Sequence, residues 1–263
     1  MSSSLQRYFS HRVKNLFNSL HEFELSGNES HLHDFRVEMK KLKAIIKFLQ
    51  AIYPKQKLKK AKNYLQNIFQ DAGEVREYQV LLNWLQKNDF KKLEENYFHQ
   101  QRMKELIVAF HNKSQHYKAD LKEVVNQCSK LIENTNIILA EQYVVQLKAK
   151  IEKSLHKQTD TNDWHELRKL IKQWMYAINW IEKEEQIIAD GSFSFYNKLQ
   201  EVIGIWHDRE VIKETITQKQ IHLSSDIEIQ KDYTKALDKL FNSLKYREKQ
   251  VEEMLVKPEL INT

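Results

Sequence analysis

The sequence predicts an all-α protein built by tandem duplication of a four-helix unit. Three observations lead there. Glycine and proline number only 4 and 2 in 263 residues, too few for turn-rich β architectures. Apolar residues recur at helical spacing over long stretches. Finally, one cationic pattern occurs twice. His33-x-x-Arg36-x-x-x-Lys40 and His165-x-x-Arg168-x-x-x-Lys172 start 132 positions apart. Each is followed by a glycine-centred patch, Gly73-x-x-Arg76-Glu77 and Gly204-x-x-His207-Asp208, and these lie 131 apart.

The elements follow in order. Leu5, Phe9, Val13, Leu16, Phe17, Leu20 and Phe23 give a first helix to about Leu25, closed by Ser26-Gly27-Asn28. A second helix runs from near Ser30 to Tyr53-Pro54, because proline disfavours a helical residue before it. A third runs from near Gln56 to Asn88, with a bend or break expected at Gly73. Phe90 to Glu133 reads as one helix or two, with Asn112-Lys113-Ser114 as the irregular point. Glu133-Asn134-Thr135-Asn136 is the boundary between copies, after which the order repeats. Ile137–His156 matches the first helix, and Thr159 to Asp163 is a polar turn and cap. Trp164–Glu184, Phe193 to about His222, and Asp226–Val256 match the second, third and fourth. The two units span about 5–133 and about 136–257 of a single 1–263 domain.

Lys and Arg total 42 against 36 Asp and Glu, a formal charge of +6. That excess matters only where it is concentrated. Cys128 is the only cysteine, which excludes an intramolecular disulfide and a cysteine zinc cluster. Its apolar neighbours predict a buried thiol. The first residues lack the apolar core of a signal peptide, and no run has the length of a membrane span. A cytoplasmic protein with no membrane association is the expectation.

The charge is concentrated on the second helix. With about 100° per residue, Arg36, Lys40, Lys43 and Lys47 all fall within about 80° on one side of His33. Phe35, Met39, Leu42, Ile46 and Leu49 gather on the opposite face, the one that packs. Glu38 is the only acid between Arg36 and Lys47 and lies off the stripe. Like charges three and four residues apart repel, so such a stripe calls for a compensating anion. In the second copy His165, Arg168 and Lys172 hold the stripe, while Met175 and Asn179 stand at the positions of Lys43 and Lys47. Leu167, Leu170, Ile171, Trp174, Ile178 and Ile181 form its apolar face.

These residues resemble the CHAD domain, the conserved histidine α-helical domain. Its mark is a duplicated His-x-x-Arg-x-x-x-Arg/Lys-Arg/Lys-x-Arg/Lys helix start, each followed later by Leu-Gly-x-x-Arg-Asp-x-x-Val. Four motifs in register cover nearly the whole chain. The resemblance implies two four-helix bundles related by a pseudo-two-fold axis, with a basic cavity or groove between them. It also implies a ligand, inorganic polyphosphate, and association with polyphosphate granules and their proteins. The chain departs from the pattern in using lysine for arginine at most stripe positions. Gln173 and Met175 replace cations, and Glu77 replaces aspartate.

The expected ligand contacts are His33, Arg36, Lys40, Lys43, Lys47, Arg76, His165, Arg168, Lys172 and His207, with Lys41 and Lys198 at the margin. Arginine grips phosphate bidentately, whereas lysine offers a hydrated point charge suited to a repetitive anion. Glu77 and Asp208 are acceptors and read as props for a neighbouring cation. Gly73 and Gly204 read either as helix breaks or as sites of close packing.

Three rival functions stand beside this one, the third a helical interaction scaffold whose stripe binds an acidic protein, a role compatible with polyphosphate binding. His33-Asp34 and His207-Asp208 spell the pair used by metal-dependent phosphohydrolases, but such a site needs further converging ligands. No glycine-rich phosphate loop and no His-Glu-x-x-His occurs, so no cofactor or metal is expected and the chain reads as a non-enzyme. Single-stranded nucleic acid would need exposed aromatics for stacking. Phe35, Trp164 and Trp174 lie on or beside packing faces, and only Trp206 is a candidate for exposure.

Overall fold

The computed structural model of the chain describes residues 3–56, 58–155, 161–181, 192–219, 221 and 224–256. Among these residues it is all α, with nine helices and no strand. They are α1 (Ser4–Ser26), α2 (Glu29–Ile52), α3 (Lys59–Lys87), α4 (Lys91–Tyr97), α5 (Gln100–Glu133), α6 (Ile137–Leu155), α7 (Thr161–Ile178), α8 (Ser192–Gln218) and α9 (Ile227–Val256).

Local chemistry sets the boundaries. Ser3 and Gln6 form a capping box at the start of α1, satisfying donors that the first turn leaves free. Gly27 closes α1 in the left-handed conformation, φ 62°, with its N–H on the Phe23 carbonyl. Asn28 then caps α2 through the Ser30 N–H. Asp226 caps α9, accepting from the N–H groups of Glu228 and Ile229.

Three expectations are corrected. Helix α3 runs unbroken through Gly73, because that glycine serves packing, as described below. The stretch after Phe90 divides at Phe98-His99 and not at Asn112-Lys113-Ser114. Phe98 is fully buried, so burial of its ring turns the chain where no breaker residue stands. The seventh helix stops at Ile178, with Asn179 and Trp180 in a turn. The expected continuation through Glu184, the cap residues Thr159 and Asp160, and His222 fall outside the described residues.

Helix α1 packs on α2 and α5, α2 on α3, and α3 on α5. Helices α6 and α7, α7 and α8, and α8 and α9 pack in succession. The two sets meet along α2–α7 and α3–α8. A shared aromatic cluster fixes that meeting: Phe48 of α2 lies 5.1 Å from Tyr143 of α6 and 5.3 Å from Trp180, ring centre to ring centre. Each set also has its own centre, with Phe23 and Phe35 edge-on to Phe110 and Trp174 edge-on to Tyr196. Such pairs add roughly 1 kcal/mol each beyond the area they bury.

The apolar face read for α2 is buried throughout, as are Leu167, Ile171, Trp174, Ile178 and Ile181 in the second copy. Cys128 is fully buried, and burial pushes its thiol up to about 12. No helix among the described residues is long and apolar enough to cross a membrane.

Candidate functional site

The two halves of each motif are one mechanical unit. Arg36 leaves α2 and lays its guanidinium on α3, where Nη1 donates to the Phe69 carbonyl at 2.9 Å. Arg168 leaves α7 and does the same on α8, where Nε donates to the Gln200 carbonyl at 3.1 Å. Each carbonyl belongs to the residue four before the motif glycine. A Cβ on Gly73 would stand 3.0 Å from Arg36 Nη1, and one on Gly204 would stand 3.0 Å from both Nε and Nη2 of Arg168. The glycines are therefore the slots that admit the arginines, and close packing is the reading that holds. A guanidinium carries five N–H donors, so one backbone bond leaves capacity for an anion.

With the arginines anchored, the stripes of α2 and α7 turn toward each other. Lys40 is depressed to about 8, by burial first and then by Arg36, Arg168 and Lys172, against a smaller opposing pull from Asp208. One lysine of the first copy thus lies among the cations of the second. Lys43 is also depressed to about 8, by burial and then by Arg36, Lys47, Lys169 and Lys62. Lys47 crosses the seam, donating to Gln173 Oε1 at 3.2 Å. Burial and Arg168 lower Lys172 in turn. The Phe69 ring is a shelf beneath the first stripe, with Lys43 Nζ at 4.0 Å and Arg36 Cζ at 4.2 Å from its centre. Its π face eases the crowding of positive charge.

Histidines also line the seam. The rings of His165 and His207 are 4.7 Å apart, and His165 Nδ1 is buried without a hydrogen-bond partner. Burial is the main cause that lowers His33, His165 and His207, with cations adding to it: Arg76 at His33, Lys169 at His165, Arg168 at His207. The charge of Glu77 opposes the lowering at Arg36, and that of Asp208 opposes it at Lys40 and His207.

A family model for the CHAD domain matches residues 11–217. The chain belongs to the CHAD domain family. Its fold is similar to the crystal structure of the CHAD domain from the plant Ricinus communis, with a TM-score of 0.74. That likeness covers 97% of this chain and 92% of the plant domain at 13% identity. No curated protein matches the chain.

Several expected site residues of this CHAD domain stand apart from the seam. Lys41, one residue beyond Lys40 and so about 100° around α2, faces α1. There it pairs with the buried Glu38 at 2.8 Å, and Arg12 holds the same carboxylate oxygen at 3.1 Å. Lys198 is exposed near the start of α8 and takes part in none of the seam contacts above. Arg76 stays beside His33 and Arg36 but is engaged by Glu29 and Gln79, each at 3.4 Å. Trp206 is buried, edge-on to Trp164 and bonded to Glu248 at 3.2 Å, which corrects the expectation that it could be exposed. Among the described residues no three His, Cys, Asp or Glu side chains converge as metal ligands.

Sequence reasoning missed Phe69, Lys62 and Lys169. Lys62 lies seven residues before Phe69, two helical turns and about 20° away. Lys169 lies about 40° from His165 on the side away from Arg168, close enough to the stripe for its spacing to have included it.

Proposed function

We propose that this CHAD domain binds inorganic polyphosphate, without catalysis, in a basic groove between two four-helix bundles related by a pseudo-two-fold axis. The bundles are the units of about 5–133 and about 136–257. The contacts are His33, Arg36, Lys40, Lys43, Lys47, His165, Arg168, Lys172 and His207, with Arg76 joining when its bond to Glu29 opens. Lys41 and Lys198 are peripheral. The cytoplasm and its polyphosphate granules are the expected location, and granule proteins the expected companions.

One observation carries the reading. Lys40 is largely withdrawn from water among Arg36, Arg168 and Lys172, with Asp208 as the opposing charge. Crowding of that kind is unfavourable in the free protein and is relieved by a polyanion laid along the seam. Lysines are suited to a chain of identical phosphates, where register matters little. Nucleic acid offers the same phosphates. Its bases would need an aromatic platform, whereas Trp164, Trp174 and Trp206 are buried and the Phe69 ring is covered by Arg36 and Lys43.

The test is calorimetric titration with polyphosphate of defined length, followed by competition with single-stranded RNA at equal phosphate concentration. Saturable binding that RNA fails to displace is expected. Displacement by RNA would move the assignment to nucleic acid, and metal-dependent release of phosphate would make the protein a hydrolase.

A further inference from the structure

The groove is not uniform along its length. At one end Lys43 and Lys47 of α2 both feel the charges of Lys62 of α3 and Lys169 of α7. Helix geometry agrees. Lys62 shares the α3 face that carries Phe69, whose ring holds Lys43. Lys169 shares the α7 face that carries Gln173, which holds Lys47. The carboxylate among them is Glu166, which pairs with Lys169 at 2.7 Å on the exposed surface, a bond weak enough for a ligand to exchange. At the other end, around His33, the cations are Arg36 and Arg76, with Glu77 beside Arg36 and Arg76 tied to Glu29.

Resting on the polyphosphate reading above, we propose that this four-lysine corner is an end-recognition site. It takes the terminal phosphate of a linear condensed-phosphate chain and fixes the direction in which the chain lies along the groove. An internal phosphate of such a chain carries one negative charge. A terminal one, like a phosphate monoester, carries close to two near neutral pH. The densest negative unit of the ligand therefore belongs where cations from three helices converge. The interior of the chain then runs past Lys40, Lys172 and the arginines toward His33. Neither Lys62 nor Lys169 belongs to the duplicated motif.

The probes are linear tripolyphosphate, which has two ends, and the cyclic three-phosphate ring, which has none. Adenosine triphosphate, with one free end, distinguishes a nucleotide source from a free chain. With the full chain, the linear probe should bind about tenfold more tightly than the ring, the size of one hydrogen bond to a charged group. Lys62→Gln and Lys169→Gln, both at exposed positions, should each shrink that ratio. Lys172→Gln should weaken both probes alike and leave the ratio intact. Adenosine triphosphate binding as tightly as tripolyphosphate would support the end site and extend it to nucleotides. Weaker binding of the nucleotide would support it with a free chain as the source. A ratio unchanged by Lys62→Gln and Lys169→Gln overturns end recognition even if long chains still bind. Failure of long chains to bind the unmodified protein overturns the underlying reading as well.

Discussion

The two copies of the motif agree in their anchors and differ in their charges. Arg36 with Gly73 and Arg168 with Gly204 make the same lock, down to a carbonyl four residues before the glycine. Beyond the lock, the first copy continues with Lys43 and Lys47 over the Phe69 shelf. The second has Met175 and Asn179 there, with Met175 packed against the core and Asn179 bonded to the Met175 carbonyl at 2.9 Å. Gln200 takes the place of Phe69. The lock is a mechanical part that each helix pair needs. The charge is a property of the shared seam, so one copy can supply most of it.

The largest effects should come from testing that imbalance. Lys40→Gln with Lys47→Gln should weaken polyphosphate binding about a hundredfold, against about tenfold for Lys172→Gln with Asn179→Gln at the corresponding positions, at roughly 1.5 kcal/mol per charged contact. Calorimetry checks both, and equal losses would remove the asymmetry. Next come the locks. Gly204→Ala should destabilise by about 1–2 kcal/mol, since its new methyl meets Nε, Nη2 and Cζ of Arg168 together. Gly73→Ala should stay within about 0.5 kcal/mol. It meets the single end atom Nη1 of Arg36 at 3.0 Å, and the helix propensity of alanine offsets the shift. Urea unfolding separates the two.

Acid should expose the histidines. His33, His165 and His207 resist protonation in the fold. As pH falls through about 6.5, the unfolded chain binds more protons than the native one and stability drops. The ligand-free Tm should therefore fall by a few degrees between about pH 7 and pH 5.5. The rise in Tm caused by polyphosphate should grow over the same interval. At about pH 8, where Lys40 and Lys43 are partly neutral, binding should take up about one proton. Titration in buffers of different ionisation enthalpy measures it. The smallest effect should be a gain: Asn179→Lys restores a missing cation at an exposed position and should tighten binding about two- to fivefold.

Much of this was legible in the sequence because it is local. Gly27, Pro54 and the Asn134 region ended helices where their backbone chemistry says they must, and the stripe of α2 followed from its angular spacing. What was not legible depends on a distant partner. Gly73 reads as a breaker until Arg36, from another helix, is seen filling its slot. Phe98 carries no breaker chemistry, and only its burial explains the division between α4 and α5. Trp206 looked free because Trp164 and Glu248 lie far from it in sequence. Lys62 was invisible to an argument from duplication, since Phe193 stands at its place in the second copy and Val37 stands at the place of Lys169 in the first.

The central claim is that the positive edges of α2 and α7 serve one ligand. Its most direct test is the salt dependence of long-chain polyphosphate affinity for the unmodified protein, Lys40→Gln and Lys172→Gln. The account expects a single binding event whose log K falls with log salt by about 0.7 per phosphate contact, with each variant reducing the slope by about that amount. A slope near zero, or one that either variant leaves unchanged, would contradict it.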